Sequence, residues 1–297
     1  MDIDKRIDDA AEKFKEIAKP NKNHYSQKFR SLPFWLGECS HYFELEANNE
    51  LINDYYYYPR GSVISVNFGV NEGSEFSNLH FAVVLDKRDS SKKRTLTVIP
   101  LTSKAKPNLF YLGKEIFNQT SSILLANISS MEKEVKNLNK ENDKANSELN
   151  QLKEAHKQNN QKAKIINEKI NNIEHDPNME DSDKLSALQQ LYLELIAKTG
   201  EIKELSSKVN NLKKKSCEIS QKTNEYYEKL QDLKRVVDIY AKYNKNTFAR
   251  IEDITTISKL RIHKINEFDP SGQIRLSSEQ MKNISDKLMQ LYITKNW

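Results

Sequence analysis

Between Leu124 and Tyr240, apolar side chains recur at alternating spacings of four and three residues, and this repeat constrains the fold more than any other feature. Such a spacing, sustained over seven heptads in its first half alone, is typical of a coiled-coil seam. Pro177 is the only proline between Asn118 and Lys245, and it lies in the turn-like sequence HDPNMEDSD. The repeat therefore predicts two helices of about 50 residues each, folded back on each other as an antiparallel hairpin.

The two predicted seams differ in regularity. The first consists of Leu124, Ile128, Met131, Val135, Leu138, Asn142, Ala145, Leu149, Leu152, His156, Asn159, Ala163, Ile166, Ile170 and Ile173. The second consists of Leu188, Tyr192, Leu195, Thr199, Ile202, Leu205, Val209, Leu212, Ser216, Ile219, Thr223, Tyr226, Leu230, Leu233, Val237 and Tyr240. Its spacing shortens between Ile202 and Leu205, just after Gly200, which predicts a stammer and a local kink. The polar seam residues of the first helix are interpreted as register-fixing or locally solvated positions.

The segment Tyr55–Lys104 is the one long stretch whose apolar pattern is typical of β-structure. Val63–Phe68, Ala82–Leu85 and Leu96–Leu101 predict three strands. The second is a continuous apolar run, as in a sheet buried on both faces. Short links join the strands: the turn-rich loop GVNEGSEFSN and the polar hairpin tip RDSSKKR. Three consecutive strands of this kind predict a small barrel or a strongly bent sheet.

Five sequence pieces occur in the order typical of one protein family. They are Arg60–Phe68, Gly73–Glu75, Ala82–Leu85, Pro100–Ser103 and Phe248–Ile265. In this order the chain resembles the PemK/MazF family, the ribosome-independent endoribonuclease toxins of type II toxin–antitoxin modules. Once the helical hairpin is left out, the pieces span a length close to a whole family domain.

We therefore expect an α+β fold, in which a small SH3-like, PemK-type β-barrel is interrupted by the antiparallel coiled-coil hairpin. The predicted boundaries are 1–54 for an N-terminal extension, 55–117 together with 246–297 for the β-domain, and 118–245 for the coiled-coil insertion. Thr247–Ile251 is predicted to pair back into the sheet. A C-terminal amphipathic helix is predicted to begin near Ser277.

The N-terminal extension combines an amphipathic helix with an aromatic-rich segment. Residues 2–19 carry apolar side chains at helical spacing, and Pro20 is predicted to end that helix. The aromatic side chains between Phe29 and Phe43, and the Tyr55–Tyr58 run, are interpreted as packing on or leading into the β-domain. The alternative interpretation is an RNA-stacking platform or a flap over the active cleft.

Composition limits the class of protein. Only 37% of the residues are hydrophobic and the mean hydropathy is −0.78, values typical of a modest globular unit that carries long solvated helices. The sequence contains no apolar run near the ~20 residues of a membrane span, and its charged beginning differs from a signal peptide, so we expect a cytoplasmic protein. Cys39 and Cys217 lack metal-ligand spacing and are expected to be free thiols. The net charge of +5 permits a polyanionic partner.

Cleaving RNA without a metal requires a base for the 2′-hydroxyl proton, an acid for the 5′-oxygen and fixed positive charge at the phosphate. The resemblance implies this reaction, with a 2′,3′-cyclic phosphate and a 5′-hydroxyl as products. It implies catalytic roles for His80, Thr102, Arg250 and Glu252. It also implies RNA contacts from Arg60, Ser74, Glu75, Ser103, Lys104 and Arg261. No cofactor and no metal are expected.

Each predicted catalytic residue has a plainer alternative. Thr102 takes the family's hydroxyl position at the scissile phosphate, or it is an ordinary strand-end threonine. His80 stands where the family usually has an arginine; with a pKa near ~6.5 it serves as acid or base, or it is a half-buried residue of an inactive chain. Arg250 and Glu252 alternate along one predicted strand and so share a face, either at the phosphate or in a surface ion pair.

The sequence thus predicts a metal-independent endoribonuclease toxin of a toxin–antitoxin or phage-defence module. The expected partners are single-stranded RNA, an antitoxin protein and a second copy of the chain in a homodimer. The rival interpretation is a non-catalytic module, in which the barrel binds a partner or nucleic acid and the hairpin is an interaction arm. The sequence has no Walker loop, zinc-ligand spacing or nucleophile elbow, which makes other enzyme classes a poor fit.

Overall fold

A computed structural model of the chain describes residues 2–19, 27–242 and 245–293. The strands are β1 (Val63–Asn67), β2 (Leu79–Val84), β3 (Thr95–Thr102), β4 (Phe110–Gly113), β5 (Thr247–Ala249) and β6 (Thr255–Ser258). The α-helices are α1 (Ile3–Ala18), α2 (Gln27–Arg30), α3 (Leu32–Ala47), α4 (Glu115–Glu174), α5 (Asp181–Ala241) and α6 (Ser278–Tyr292). The expected α+β fold is confirmed. In the part of the chain covered by these ranges, none of the helices is both long and apolar enough to cross a membrane.

Every pairing in the sheet is antiparallel, and β3 is its central strand. The strand order is β1-β2-β3-β5-β4, and β6 pairs with the first half of β3. After β6 the chain returns to β1, where Ile262 bridges Val66 and the His263 backbone N–H donates to the Ser65 carbonyl at 2.9 Å. The β1-β2-β3-β6 ladder therefore curls back on itself as a small barrel, as the short links predict.

Alternating side chains bury the sheet on both faces. Val63 and Ile64 are adjacent and both fully buried, and they belong to two separate apolar clusters because neighbouring strand residues point to opposite faces. Met281 and Ile284 of α6 pack into the cluster of Val63. This helix begins with a capping box between Ser277 and Gln280, where the sequence predicts its start.

Segments far apart in the sequence are neighbours in the sheet. Ala249 of β5 pairs with Leu101 of β3, and Thr255 of β6 pairs with Val98 of the same strand. The predicted return of the chain into the sheet after the hairpin is therefore confirmed. The chain divides into two compact units, one formed by Met1–Ala126 together with Asp232–Trp297 and the other by Asn127–Gln231. The division falls inside α4 and α5, and the predicted domain boundaries at 118 and 245 stay a prediction.

Helices α4 and α5 have 60 and 61 residues, somewhat longer than predicted, and a turn around Pro177 separates them. Their cross-contacts run in opposite directions along the two chains: Ser216 Oγ donates to Asn142 Oδ1 at 3.0 Å, and Asn159 Nδ2 donates to Glu201 Oε2 at 3.1 Å. The antiparallel hairpin is confirmed. In α4 every predicted seam residue is buried or half-buried.

The predicted stammer in α5 is wrong. Leu191 and Lys198 occupy the half-buried seam positions, whereas Tyr192 and Thr199 are exposed. With this assignment the spacings alternate between three and four without interruption from Leu188 to Leu233. Lys198 tolerates a seam position because its stem packs there while its ammonium pairs with a carboxylate, that of Glu201, at 2.7 Å.

The N-terminal extension contacts the β1–β2 loop and the segment after β6. Lys28 Nζ donates to the carbonyls of Asn71 and Gly73 at 2.9 and 3.0 Å, and Glu38 lies 2.6 Å from His263 Nε2. Leu32 is buried, but Phe34 and Phe43 are exposed by 81% and 67%. The interpretation that the extension packs on the β-domain is thus confirmed for α2 and α3, though not for every aromatic side chain. Pro20 lies outside the described residues.

Candidate active site

The end of β3 and the start of β2 lie at the same edge of the sheet, because the two strands are antiparallel. Ala82 pairs with Pro100, the last pair that joins the two strands, and His80 and Thr102 each lie two residues beyond that pair on their own strand. Thr102 in turn pairs with Phe248 of β5. Arg250 follows β5, and its backbone N–H donates to the Pro100 carbonyl at 2.9 Å. The sheet therefore brings side chains from three strands to one edge.

A cavity of about 530 Å³ opens at this edge. Five of the predicted site residues line it, namely His80, Thr102, Ser103, Lys104 and Arg250. The remaining lining residues are Ser65, Phe76, Leu79, Phe81, Leu101, Lys106, Ile116, Phe117, Thr120, Tyr240, Lys245 and Thr247. Among these described residues the charged side chains are three lysines and one arginine, so the lining suits a polyanion.

Phe76 contacts both the arginine and the histidine. The Arg250 guanidinium lies over the Phe76 ring, with Cζ 4.9 Å from the ring centroid, and Arg250 Nε donates to Asp253. The same Phe76 ring also packs against the His80 imidazole, with the two ring centroids 4.5 Å apart. The cation–π contact and the ion pair fix the guanidinium beside the cavity.

Burial lowers the pKa of His80 below its usual value, and the nearby charges of Arg250 and Lys104 lower it further. The imidazole is therefore neutral at pH 7 and has a lone pair with which to accept a proton. Beside it, Thr102 is half-buried, and its Oγ1 accepts a hydrogen bond from the Lys104 backbone N–H at 3.2 Å. An accepting hydroxyl still has its own proton to donate.

Residues 59–159 match the sequence model of the PemK-like, MazF-like toxins of type II toxin–antitoxin systems. The chain contains a PemK-like toxin domain. The match covers β1 to β4 and continues into α4, about a third of the whole chain. No significant match to the chain was found among curated proteins or among solved structures.

Some predicted RNA-contacting residues of the PemK-like domain lie away from the cavity. The Arg60 guanidinium donates to the Leu85 carbonyl and to Ser285 Oγ, so it ties the sheet to α6. Arg261 Nη1 donates to the Phe68 carbonyl at 3.4 Å. Ser74 and Glu75 are exposed in the β1–β2 loop. Their roles in RNA binding stay predictions.

The predicted strand that carries both Arg250 and Glu252 is wrong. Strand β5 ends at Ala249, and Ile251–Asp253 form a single 3-10 turn. The turn allows Ile251 to enter the apolar cluster beneath the sheet, and it leaves Glu252 exposed outside the cavity lining. The carboxylate that contacts the arginine is that of Asp253.

The cavity wall supplied by the helix ends was not predicted from the sequence. Tyr240, in the last turn of α5, is buried; its hydroxyl donates to Asp269 Oδ1 at 2.6 Å and its ring lies 5.6 Å from that of Phe81. The buried Asp269 also accepts from the backbone N–H groups of Ser271 and Ile265, both at 2.8 Å. Tyr240 stood in the predicted heptad seam, and nothing in that pattern distinguishes it from an ordinary seam residue.

Three further lining residues, Phe76, Lys106 and Lys245, were also not predicted from the sequence. Phe76 directly follows the Ser74-Glu75 pair, so an aromatic residue in that polar loop was a usable signal. Lys106 and Lys245 are exposed residues in linkers, where lysine is common. Across the described residues, no three His, Cys, Asp or Glu side chains cluster in a way suited to a metal ion.

Proposed function

We propose that the PemK-like domain is a metal-independent endoribonuclease that cleaves single-stranded RNA by attack of a 2′-hydroxyl on the adjacent phosphate. One observation carries the proposal: an imidazole, a hydroxyl and a guanidinium, supplied by segments separated by the whole hairpin, line one cavity together with three lysines. This set provides a proton acceptor, a hydrogen-bond donor and fixed positive charge, which the reaction needs.

In the proposed mechanism His80 Nδ1 or Nε2 accepts the proton of the 2′-hydroxyl. The 2′-oxygen forms a bond to phosphorus and the bond from phosphorus to the 5′-oxygen breaks, which gives a 2′,3′-cyclic phosphate and a 5′-hydroxyl. Solvent water serves as the acid that gives the leaving 5′-oxygen its proton. Arg250 and Lys104 stabilise the charge that develops on the phosphoryl oxygens, and the Thr102 hydroxyl hydrogen-bonds one of them.

The lowered pKa of His80 supports a role as base. A neutral imidazole accepts a proton at pH 7 without first losing one, and the bound phosphate raises its basicity by placing negative charge nearby. Glu252 is left out of this mechanism because it is exposed outside the cavity lining. An antitoxin partner and a homodimer are proposed on the family resemblance alone, and a cytoplasmic location is proposed from the composition of the sequence.

The test is cleavage of a long single-stranded RNA by the purified protein in EDTA, with the 5′ ends of the fragments sequenced and their 5′-hydroxyl groups verified. We expect cleavage at preferred sites by the wild type. Thr102→Val and Arg250→Lys should lower the rate by about 100-fold or more, since each removes a contact to the transition state. Thr256→Val and Arg88→Lys, which change exposed residues outside the cavity, serve as matched controls and should cleave normally.

A specific observation favours the alternative of a non-catalytic binding module. Histidine stands at position 80 where the family usually has an arginine, and an arginine grips phosphate bidentately whereas a neutral imidazole does not. In that case the wild type would bind single-stranded RNA and leave it intact under every condition tested. Cleavage that persists unchanged in both cavity variants would contradict the proposed mechanism and point to a contaminating nuclease.

A further inference from the structure

Two aromatic side chains lie side by side on the sheet surface beyond the cavity. Tyr111 of β4 pairs with Phe248 of β5, and their rings are 5.4 Å apart and tilted by 52°. Tyr111 is 58% exposed, and Phe248 is half-buried. Neither ring belongs to the cavity lining. We call this pair the aromatic shelf.

The aromatic shelf continues the row of side chains that crosses the cavity. Phe248 pairs with Tyr111 on one side and with Thr102 on the other, and directly paired residues present their side chains on one face of a sheet. Neighbouring strands are about 4.8 Å apart, so Tyr111 lies roughly 10 Å from Thr102 along the row. That places the shelf within reach of a nucleotide adjacent to the phosphate that Thr102 contacts.

The tyrosine ring is held in place. The Tyr111 hydroxyl donates to Asn246 Oδ1 at 3.3 Å, and Phe248 packs against the ring. A large aromatic side chain with few rotatable bonds loses little entropy when a ligand stacks on it. The strand that carries it, β4, is at the end of the pairing order, and the 58% exposure of the side chain leaves the ring accessible to a ligand.

Positive charge accompanies the shelf. Lys245 precedes Asn246, the partner of the tyrosine hydroxyl, and lines the cavity together with Lys104 and Lys106. Aromatic faces on a sheet, next to cations that follow a phosphate backbone, are the features by which proteins bind single-stranded nucleic acid without reading its sequence. An apolar protein partner would not need the adjacent lysines.

We infer that the aromatic shelf is a stacking subsite for the base of a nucleotide next to the scissile phosphate. The inference rests on the proposed function, because it takes single-stranded RNA as the ligand. It adds a subsite that binds substrate through the base face rather than through the phosphate. Sequence preference at this nucleotide is expected to be weak, because every base has a face that can stack.

The test uses a 2′-O-methyl oligoribonucleotide of mixed sequence that carries 2-aminopurine. This probe cannot be cleaved by 2′-hydroxyl attack, so binding is measured apart from catalysis. Stacking on the shelf quenches the fluorescence of 2-aminopurine. We expect Tyr111→Leu, which keeps an apolar contact with Phe248 but has no aromatic face, to lose the quenching and to bind about tenfold more weakly. Tyr111→Phe should retain both.

Tyr227→Leu is the matched control, because Tyr227 is 49% exposed and lies on α5, outside the row. It should bind the probe like the wild type. If Tyr111→Leu has an unchanged melting temperature and binds and quenches like Tyr111→Phe, the shelf is only a cross-strand pair and the inference is wrong, whatever the nuclease assay gives. If the wild type binds and quenches the probe but cleaves no RNA, the subsite stands and the proposed catalysis fails. If the wild type does not bind the probe, the inference is wrong.

Discussion

Substituting Lys259 by Met should destabilise the β-domain strongly, because it removes one partner of a buried ion pair. The Lys259 and Asp89 side chains are exposed by only 1% and 0%. Lys259 Nζ lies 2.7 and 2.8 Å from the two carboxylate oxygens and also donates to the carbonyls of Tyr56 and Ser90 at 3.0 Å. Asp89 additionally accepts from the Tyr58 backbone N–H at 2.8 Å. The pair joins the segment before β1, the β2–β3 hairpin tip and the turn after β6.

The expected magnitude follows from what the substitution leaves behind. A methionine of similar volume fills the space but leaves the buried Asp89 carboxylate without its cation. Breaking a buried ion pair in this way costs about 3–5 kcal/mol of unfolding free energy. For a unit of this size, 1 kcal/mol corresponds to roughly 2–4 °C in melting temperature. Lys259→Met should therefore lower the midpoint by about 10 °C.

Thermal unfolding followed by tryptophan fluorescence measures this effect, since Trp35 packs against Gly69 in the β1–β2 loop. The double variant Lys259→Met with Asp89→Asn removes both charges and should recover much of the loss. Lys92→Met breaks a neighbouring ion pair with Asp54 whose side chains are 71% and 72% exposed, and it should leave the midpoint nearly unchanged. Equal midpoints for Lys259→Met and Lys92→Met would refute the reasoning.

Three further predictions follow from the site and its supports. Gly69→Ala should lower the free energy of unfolding by about 2–3 kcal/mol in a denaturant titration, because its φ is +83° and an added Cβ would overlap the Trp35 indole. Gly73→Ala should cost only about 1 kcal/mol, because its φ is also positive, at +52°, but an added Cβ would lie in open space. The kcat/KM for RNA cleavage should rise with pH and reach its plateau at a pH below about 6.5, because the pKa of His80 is lowered. The unfolded chain binds that proton more readily than the folded chain, so the free energy of unfolding should also fall as the pH drops below about 6.5. His80→Asn removes the proposed base, so it should strongly lower the cleavage rate and weaken the pH dependence of stability. Tyr240→Phe should lower the free energy of unfolding by about 1–3 kcal/mol, because the buried Asp269 carboxylate loses a hydrogen bond. Tyr292→Phe is the control in the same denaturant titration: it removes an exposed hydroxyl contact and should change stability far less.

The parts of the fold that the sequence predicts correctly are those with a local period. Apolar strand patterns located β1, β2 and β3, the heptad repeat located α4 and α5, and Pro177 marked the turn between them. The error in the α5 seam arose where two apolar residues are adjacent: Leu191 and Tyr192 both satisfy a heptad, and only packing against the other helix selects the leucine.

Part of the cavity lining was expected from the family resemblance, which groups His80, Thr102 and Arg250. The structure brings these three residues to one cavity because they lie at or beside strand ends, and their catalytic roles stay predictions. Glu252 was misplaced because strand β5 ends at Ala249. The 3-10 turn that follows, Ile251–Asp253, buries Ile251 and leaves Glu252 exposed. A buried pair such as Lys259 with Asp89 has no local signature, since each residue alone resembles a surface charge.

The two helix ends that wall the cavity limit how the protein can be shortened. Ile116, Phe117 and Thr120 at the start of α4 and Tyr240 at the end of α5 line the cavity, although they belong to the same continuous helices as the coiled coil. A shortened variant made by splicing residue 117 to residue 246 would lose Thr120 and Tyr240 and leave Asp269 without its hydroxyl partner. A shortened variant with an intact cavity must retain about three turns of each helix and join them by a new loop, because the same two helices form both the hairpin and part of the cavity wall.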